Sequence, residues 1–273
     1  MRGTRYFRRP PVIAGAIVAA GLAWAASTSA AAPATCHVVS GPRTLPLVEL
    51  FTSEGCDSCP PADRWLSAQF PPRLPAAAAG QPALTLAYHV DYWDRLGWRD
   101  RFASPQFTQR QYDEMSASGA TFVYTPQVVV QGQDAPRWNR GQVADALATA
   151  ERRPPRAAIA LDVTPGTDAL QLRVTATVPD PALRTSAVLW IAYTDSGHVT
   201  EVAAGENRGA KLRHDHVVRS LHGPYPVDAA GSGTAALTQK LPTDAGSAPE
   251  VVAFVQDTKN GDILQALASS ECR

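Results

Sequence analysis

Residues 47–63 read LVELFTSEGCDSCPPAD, and no other stretch restricts the chain as much. An alternating apolar run is followed by a short turn, two cysteines two residues apart, and a helix start. That order (strand, turn, Cys-x-x-Cys, helix) is what thiol–disulfide chemistry needs. A helix N-terminus presents unpaired backbone N–H groups and a positive dipole end, and both favour a thiolate over a thiol. The second cysteine, one helical turn on, is placed to attack a mixed disulfide formed by the first.

The region ahead of this stretch is read as a targeting segment. Arg2, Arg5, Arg8 and Arg9 precede an apolar run over 12–26, and small residues fill 27–34. This is the layout of an export signal at 1–34, with cleavage after Ala30, Ala32 or Ala34. The rival reading is a retained anchor, but an Ala/Gly-rich run of about 15 residues falls short of the roughly 20 that span a bilayer. The expected location is therefore periplasmic or secreted. Removing the leader's four arginines from 25 basic residues leaves 21 against 25 acidic ones, a net charge near −4. That balance points away from nucleic acid or an anionic membrane surface as partner.

Export changes how the four cysteines are read, because an oxidising compartment preserves bridges. Cys36, Cys56, Cys59 and Cys272 allow three pairings. Cys56–Cys59 is the local one, which leaves Cys36 with Cys272 at the two ends of the mature chain. They form either a structural bridge between termini or two free thiols in tails.

Along the chain, 45–52 reads as a strand, 62–69 as a helix stopped by Pro71, Pro72 and Pro75, and 83–90 as an apolar strand. A helix follows over 101–119, opened by Ser104-Pro105 and closed by Gly119. Thr125-Pro126 heads a strand within 122–131, and 141–153 is an amphipathic helix. The expectation for 35–153 is an α/β domain. Residues 152–156, with Pro154-Pro155, read as a linker. Beyond it the period changes to two, with strands at 158–163, 170–178, 187–194, 198–202, 214–220, 235–241 and 250–257. The expectation for 154–273 is an antiparallel β-sandwich.

These residues carry a family resemblance. The N-terminal half resembles the thioredoxin superfamily, with glutaredoxin-like spacing before Cys56-Asp57-Ser58-Cys59. The match is closest to exported bacterial thioredoxin-like proteins catalogued as a domain of unknown function. The matching stretches are VELFTSEGCDSCPPAD, YHVDYWDRLGWRDRFASPQF, VYTPQVVVQG, GENRGAKLRHDHVVRSL and VVAFVQD. The resemblance implies an α/β thioredoxin-like N-terminal fold and a cis-proline at Pro126, after Thr125, beside the cysteines and holding the substrate backbone. It departs at Gly55, where thioredoxins carry Trp, and at Asp57-Ser58 in place of Gly-Pro. The 66 residues between Cys59 and Pro126 make 92–118 an elaboration over the site.

Two functions fit these residues. In the first, an exposed Cys56 attacks and Cys59 resolves the disulfide of a protein or small thiol/disulfide substrate. No cofactor takes part, and an unidentified electron donor or acceptor sits at the membrane. The acidic neighbours Glu54 and Asp57 oppose the thiolate. In the second, Cys56–Cys59 is a structural disulfide in a binding or assembly module. Half a zinc site is a third reading, without a second ligand pair to complete it. Glu49 is either a buried proton carrier near Cys59 or a surface glutamate. His89, Asp91 and Asp94 end a central strand, His89 and Asp91 being further candidates for proton transfer, and with Tyr92, Trp93 and Trp98 they either line a substrate groove or pack and cap the inserted segment. His214 and His216, flanking Asp215, are either a metal pair or surface residues. The loop at 205–209 is read as a turn rather than a phosphate cradle, since no helix pattern follows it.

Overall fold

Every residue of β2 (Leu47–Thr52) and β3 (Leu84–His89) is buried, the pattern of strands covered on both faces. In the computed structural model, which describes residues 1–4, 34–72 and 83–269, these two strands run parallel, with Leu47 beside Leu84 and Phe51 beside Tyr88. Between them lies α1 (Pro60–Gln69), whose first two residues are prolines and therefore need no donors in the first turn. The helix α2 (Pro105–Ala117) is capped by the Ser104 hydroxyl, which accepts from Gln106 N. β4 (Gln127–Val130) returns antiparallel to β2, and a short β5 (Gln133–Asp134) and α3 (Gln142–Glu151) follow.

The second half supplies nine strands: β6 (Ala158–Pro165), β7 (Ala169–Thr177), β8 (Ala187–Ser196), β9 (His198–Glu201), β10 (Lys211–His214), β11 (Val217–Pro226), β12 (Ser232–Lys240), β13 (Ser247–Asp257) and β14 (Ile263–Ala268). The first strand, β1 (Cys36–Val39), belongs with them, because it pairs antiparallel with β6 at Cys36–Val163. The expected strand at 214–220 is divided between β10 and β11, and the sequence reading missed β1 and β14.

The expected fold class is overturned by how these strands join. β11 lies parallel to β3, with Val217 beside Ala87, and this contact fuses the two halves into one eight-stranded mixed sheet in the order β14-β13-β8-β11-β3-β2-β4-β5. The chain is thus a mostly β protein built on large mixed sheets, not an α/β thioredoxin-like domain followed by a separate sandwich. The described residues from 34 onward form one compact unit, with no division near 153. Periodicity reports each strand's burial but not its neighbour, so a proline pair at 154–155 read as a boundary where the chain only turns.

The core is divided among the faces of this sheet. On one face, α1 and α3 cover Val48, Leu50, Val128 and Val130 through Ala62, Leu66, Val143 and Leu147. Further along, a four-stranded sheet β1-β6-β7-β12 packs Leu161 and Val174 against Leu189, Ile191, Ala253 and Val255. On the other face, α2 brings Phe107 and Met115 onto Phe51, Leu86, Tyr88 and Phe254. Burying a side chain of this size contributes about 1.5–3 kcal/mol. Among the described residues no helix is long and apolar enough to cross a membrane. The leader expected at 1–34 falls almost wholly outside the described residues.

Candidate functional site

The Cys-x-x-Cys turn sits where β2 ends and α1 begins. Cys56 N donates to Ser53 O and Cys59 N to Cys56 O, and Cys59 is the N-cap of α1. The two cysteines form a disulfide with their Cα atoms 5.4 Å apart. Both are 0% exposed, whereas Asp57 and Ser58 between them face solvent. The expected exposed Cys56 is therefore corrected: its neighbours cover it. Cys36 is not a free thiol, while Cys272, its expected partner, lies outside the described residues.

Two hydroxyls meet the Cys56 sulfur. Thr125 Oγ1 donates to Cys56 Sγ at 3.4 Å, and Ser58 Oγ lies 3.3 Å away. The Thr125–Pro126 peptide is cis, as the resemblance implies. Trp93 Nε1 in turn donates to Thr125 Oγ1 at 2.8 Å. The Trp93 backbone crosses so close to Gly55 that a Cβ there would come within 3.0 Å of Trp93 Cβ, which is why glycine precedes the first cysteine. Tyr92 stands behind, its hydroxyl donating to Gln111 Oε1 at 3.2 Å; burial pushes its phenol up to about 12.

Beneath the turn lies a buried polar group. Asp100 Oδ2 accepts from Glu54 N at 2.8 Å and from His89 Nδ1 at 2.6 Å. Glu54 Oε2 accepts from Trp98 Nε1 at 2.8 Å, and Glu54 Oε1 lies 3.3 Å from His214 Nε2 without hydrogen-bond alignment. Burial opposes charge on all of these. For His89, Asp100 and two further carboxylates, Asp63 and Glu54, outweigh burial and hold the imidazole above its ordinary value. For Asp100 and Glu54, burial is outweighed chiefly by His89 and His214 respectively, and both carboxyls sit low. Asp63 differs. It lies one turn beyond Cys59, accepts from Thr52 Oγ1 at 3.1 Å, and is held above the usual carboxylate range by burial. The sequence reading missed Asp63, although an acid on the apolar stripe between Ala62 and Leu66 was the available signal.

The other expected residues part company. Glu49 points to the opposite face of β2, where Arg110 Nη2 reaches its Oε1 at 2.6 Å and Glu114 Oε1 at 2.7 Å. Arg110 also lies over the Tyr88, Trp190 and Phe254 rings, so this cluster pins α2 to the sheet and is remote from the cysteines. Asp91 accepts from Thr108 Oγ1 at 2.6 Å and so ties the end of β3 to α2, while Asp94 accepts from Asp100 N at 3.1 Å within its own loop. His89 is fully buried and lines no groove. His214 turns toward Glu54, while His216 donates to Phe70 O at 2.6 Å. Among the described residues, no group of three or more His, Cys, Asp or Glu side chains is arranged to hold a metal ion.

The loop at 205–209 is a turn, as read, but its placement was not foreseen. Asn207 Nδ2 donates to both Glu54 O and Cys56 O at 2.9 Å, and Asp57 N donates to Glu206 Oε2 at 3.3 Å. A loop some 150 residues away in sequence thus closes onto the cysteine turn.

No curated protein matches the chain. Among solved structures, the chain is similar to a crystal structure of a protein from Agrobacterium tumefaciens determined by a structural-genomics consortium. The identity is 25% and the TM-score 0.55, over 84% of this chain and 95% of that one. It is also similar to HBP35 of Porphyromonas gingivalis, at 17% identity and TM-score 0.60, over 85% of this chain and 76% of that one; this second likeness concerns the fold alone. A family model described as a protein of unknown function, DUF1223, matches residues 47–256, and the chain belongs to that family.

Proposed function

We propose that this is an exported thiol–disulfide exchange protein in which Cys56 attacks and Cys59 resolves. The supporting observation is the line of hydrogen bonds from Trp93 through Thr125 to Cys56 Sγ. An indole N–H donates into the Thr125 oxygen, so that hydroxyl has only its own proton to offer the sulfur. A thiolate there accepts a charge-assisted hydrogen bond, which a disulfide does not need.

In the forward direction, a Cys56 thiolate attacks one sulfur of a substrate disulfide. A mixed disulfide forms and one substrate thiolate leaves. Cys59 loses its proton to Asp63, whose raised affinity for protons and position one helical turn on suit it to that transfer. The Cys59 thiolate then attacks Cys56 Sγ and releases the second substrate thiolate. The substrate is reduced by two electrons, and the protein is left with the Cys56–Cys59 disulfide. Restoring the dithiol requires an electron donor, which in an exported protein is met at the membrane.

A binding or assembly module with a permanent Cys56–Cys59 disulfide is the second reading, favoured by the complete burial of both cysteines. A Cys59→Ser variant separates the two. Exchange predicts covalent adducts trapped through Cys56 and abolished by adding Cys56→Ser. No adducts, together with a potential well below about −300 mV, would favour the module.

A further inference from the structure

β8 and β11 lie side by side, and both break at one level: Gly197 at φ 81° and His216 at φ 57°. Glycine takes this left-handed backbone freely, whereas histidine does so at a cost. His216 is held there by its amide on Ser196 Oγ at 2.9 Å and its ring on Phe70 O. Beyond the break the chain continues as β9 and β10, a two-stranded arm hydrogen-bonded as a sheet to neither larger sheet. The break therefore aims the arm away from the sheet it grew from.

What the arm meets is the cysteine turn. At its tip, Asn207 holds the carbonyls of Glu54 and Cys56, and Glu206 holds the amide of Asp57. Gly205, at φ 73°, lies against Trp98, where a Cβ would come within 3.0 Å of Trp98 Cβ. At the arm's base, His214 faces Glu54. The disulfide within this clasp has no exposed surface.

We propose that the β9–β10 arm is a cover that must lift before the Cys56–Cys59 disulfide can be attacked, and that Asn207 is its latch. That the uncovered disulfide then serves a substrate rests on the exchange reading above; the covering does not. Hydrogen bonds and close packing hold the tip, while at the base His214 packs on His89, and His198 bonds Asp195 and packs on Phe102. No strand pairing joins the arm to either large sheet, so its tip opens locally without unpairing them. The turn and α1 stay in place, because Asn207 contributes to neither's own hydrogen bonds.

The test follows reduction of the full chain by dithiothreitol. One dithiothreitol thiolate attacks a protein sulfur and displaces the other as thiolate. The second dithiothreitol sulfur then closes its own ring, so the protein gains two electrons and the reagent becomes the cyclic disulfide. Free thiols are trapped by alkylation over time. Removing two hydrogen bonds with Asn207→Ala raises the reduction rate by about tenfold or more. Lys211→Ala, on the arm but away from its tip, leaves the rate within about twofold.

In the unaltered protein, hydrogen exchange reads the same motion: the Asp57 and β10 amides exchange at least about tenfold faster than those of β8. Equal protection of β10 and β8, or an unchanged rate in a folded Asn207→Ala variant, overturns the cover. The two proposals fail separately. Faster reduction without trapped substrates sinks the exchange reading and keeps the cover, whereas trapped substrates with an unchanged rate do the reverse.

Discussion

Trp93 donates its indole N–H to the Thr125 hydroxyl at 2.8 Å, and that contact decides where the hydroxyl's own proton points: at Cys56 Sγ, 3.4 Å away. A residue of the inserted segment thereby governs a sulfur 37 positions earlier in the sequence. Thr125→Val removes the donor and is expected to slow alkylation of Cys56 in the reduced protein at neutral pH by about tenfold. Trp93→Phe keeps the ring but frees the hydroxyl to turn, and slows it less. Rates measured across pH check both.

Gly55→Ala tests the same geometry from the other side. The new Cβ would press on Trp93 Cβ at 3.0 Å and on its carbonyl oxygen at 3.4 Å, so Trp93 must move. The expected cost is about 1–3 kcal/mol by denaturant unfolding, together with slower Cys56 alkylation. Unfolding without a change in alkylation would uncouple Gly55 from the site.

Arg110 sits almost wholly buried among Glu49, Glu114 and three aromatic rings. Arg110→Met leaves the buried Glu49 carboxylate without its counter-charge and Glu114 without a donor, and a loss of about 3–5 kcal/mol is expected. Because Glu49 faces α2, away from the cysteines, the Cys56–Cys59 potential should not change in the folded fraction. A shifted potential would restore Glu49 to the site.

The Glu114 carboxyl is raised to about 8 by burial and then by the Glu49 charge, against the pull of Arg110. The unfolded chain releases this proton near 4.5 while the native state keeps it, so the native state binds more protons between those values. Stability should therefore fall as pH rises from about 5 to about 8, by up to about 1.4 kcal/mol per unit. Glu114→Gln keeps the hydrogen bonds and should flatten this slope in thermal melts.

His89 and Asp100 form the opposite case. His89 is held high and Asp100 low, each despite burial, and each by the other. The Asp100 contribution is present above the ordinary carboxylate value and lost as pH falls through its lowered one. The His89 contribution is full below the ordinary imidazole value and lost as pH rises through its raised one. Asp100→Asn should therefore destabilise most between about pH 4 and 6.5, by about 3 kcal/mol, with the difference narrowing outside that window. Urea unfolding at three pH values reads this directly.

Much of the site was legible in the sequence because it is local. The order strand, Cys-x-x-Cys, helix sits within 23 residues, and prolines, glycine and period-two patterning act over distances that short. Tyr92 and Trp93 stand out in the sequence as aromatics ending a strand, and both stand at the site, although Asp91 ties the strand end to α2 and Asp94 bonds within its own loop. Asp63 was overlooked because a lone acid in a helix reads as solvent-facing until the face it occupies is known. Glu49 was misplaced for the same reason: alternation separates the two faces of β2 without saying which one α1 covers.

By itself, then, the sequence determined most of the segments, β1 and β14 excepted, and that the Cys56–Cys59 pair lies between β2 and α1. Short-range sterics and periodicity suffice for that. Only the tertiary structure decided that β3 pairs with β11 to make one sheet from two apparent domains, and that Asn207 reaches a cysteine 151 residues away. Those outcomes depend on which strand edges meet and in what register, a choice made by the summed burial of the whole sheet. Within the LVELFTSEGCDSCPPAD stretch, Cys56 and Cys59 are fully buried while Asp57 and Ser58 between them stay exposed.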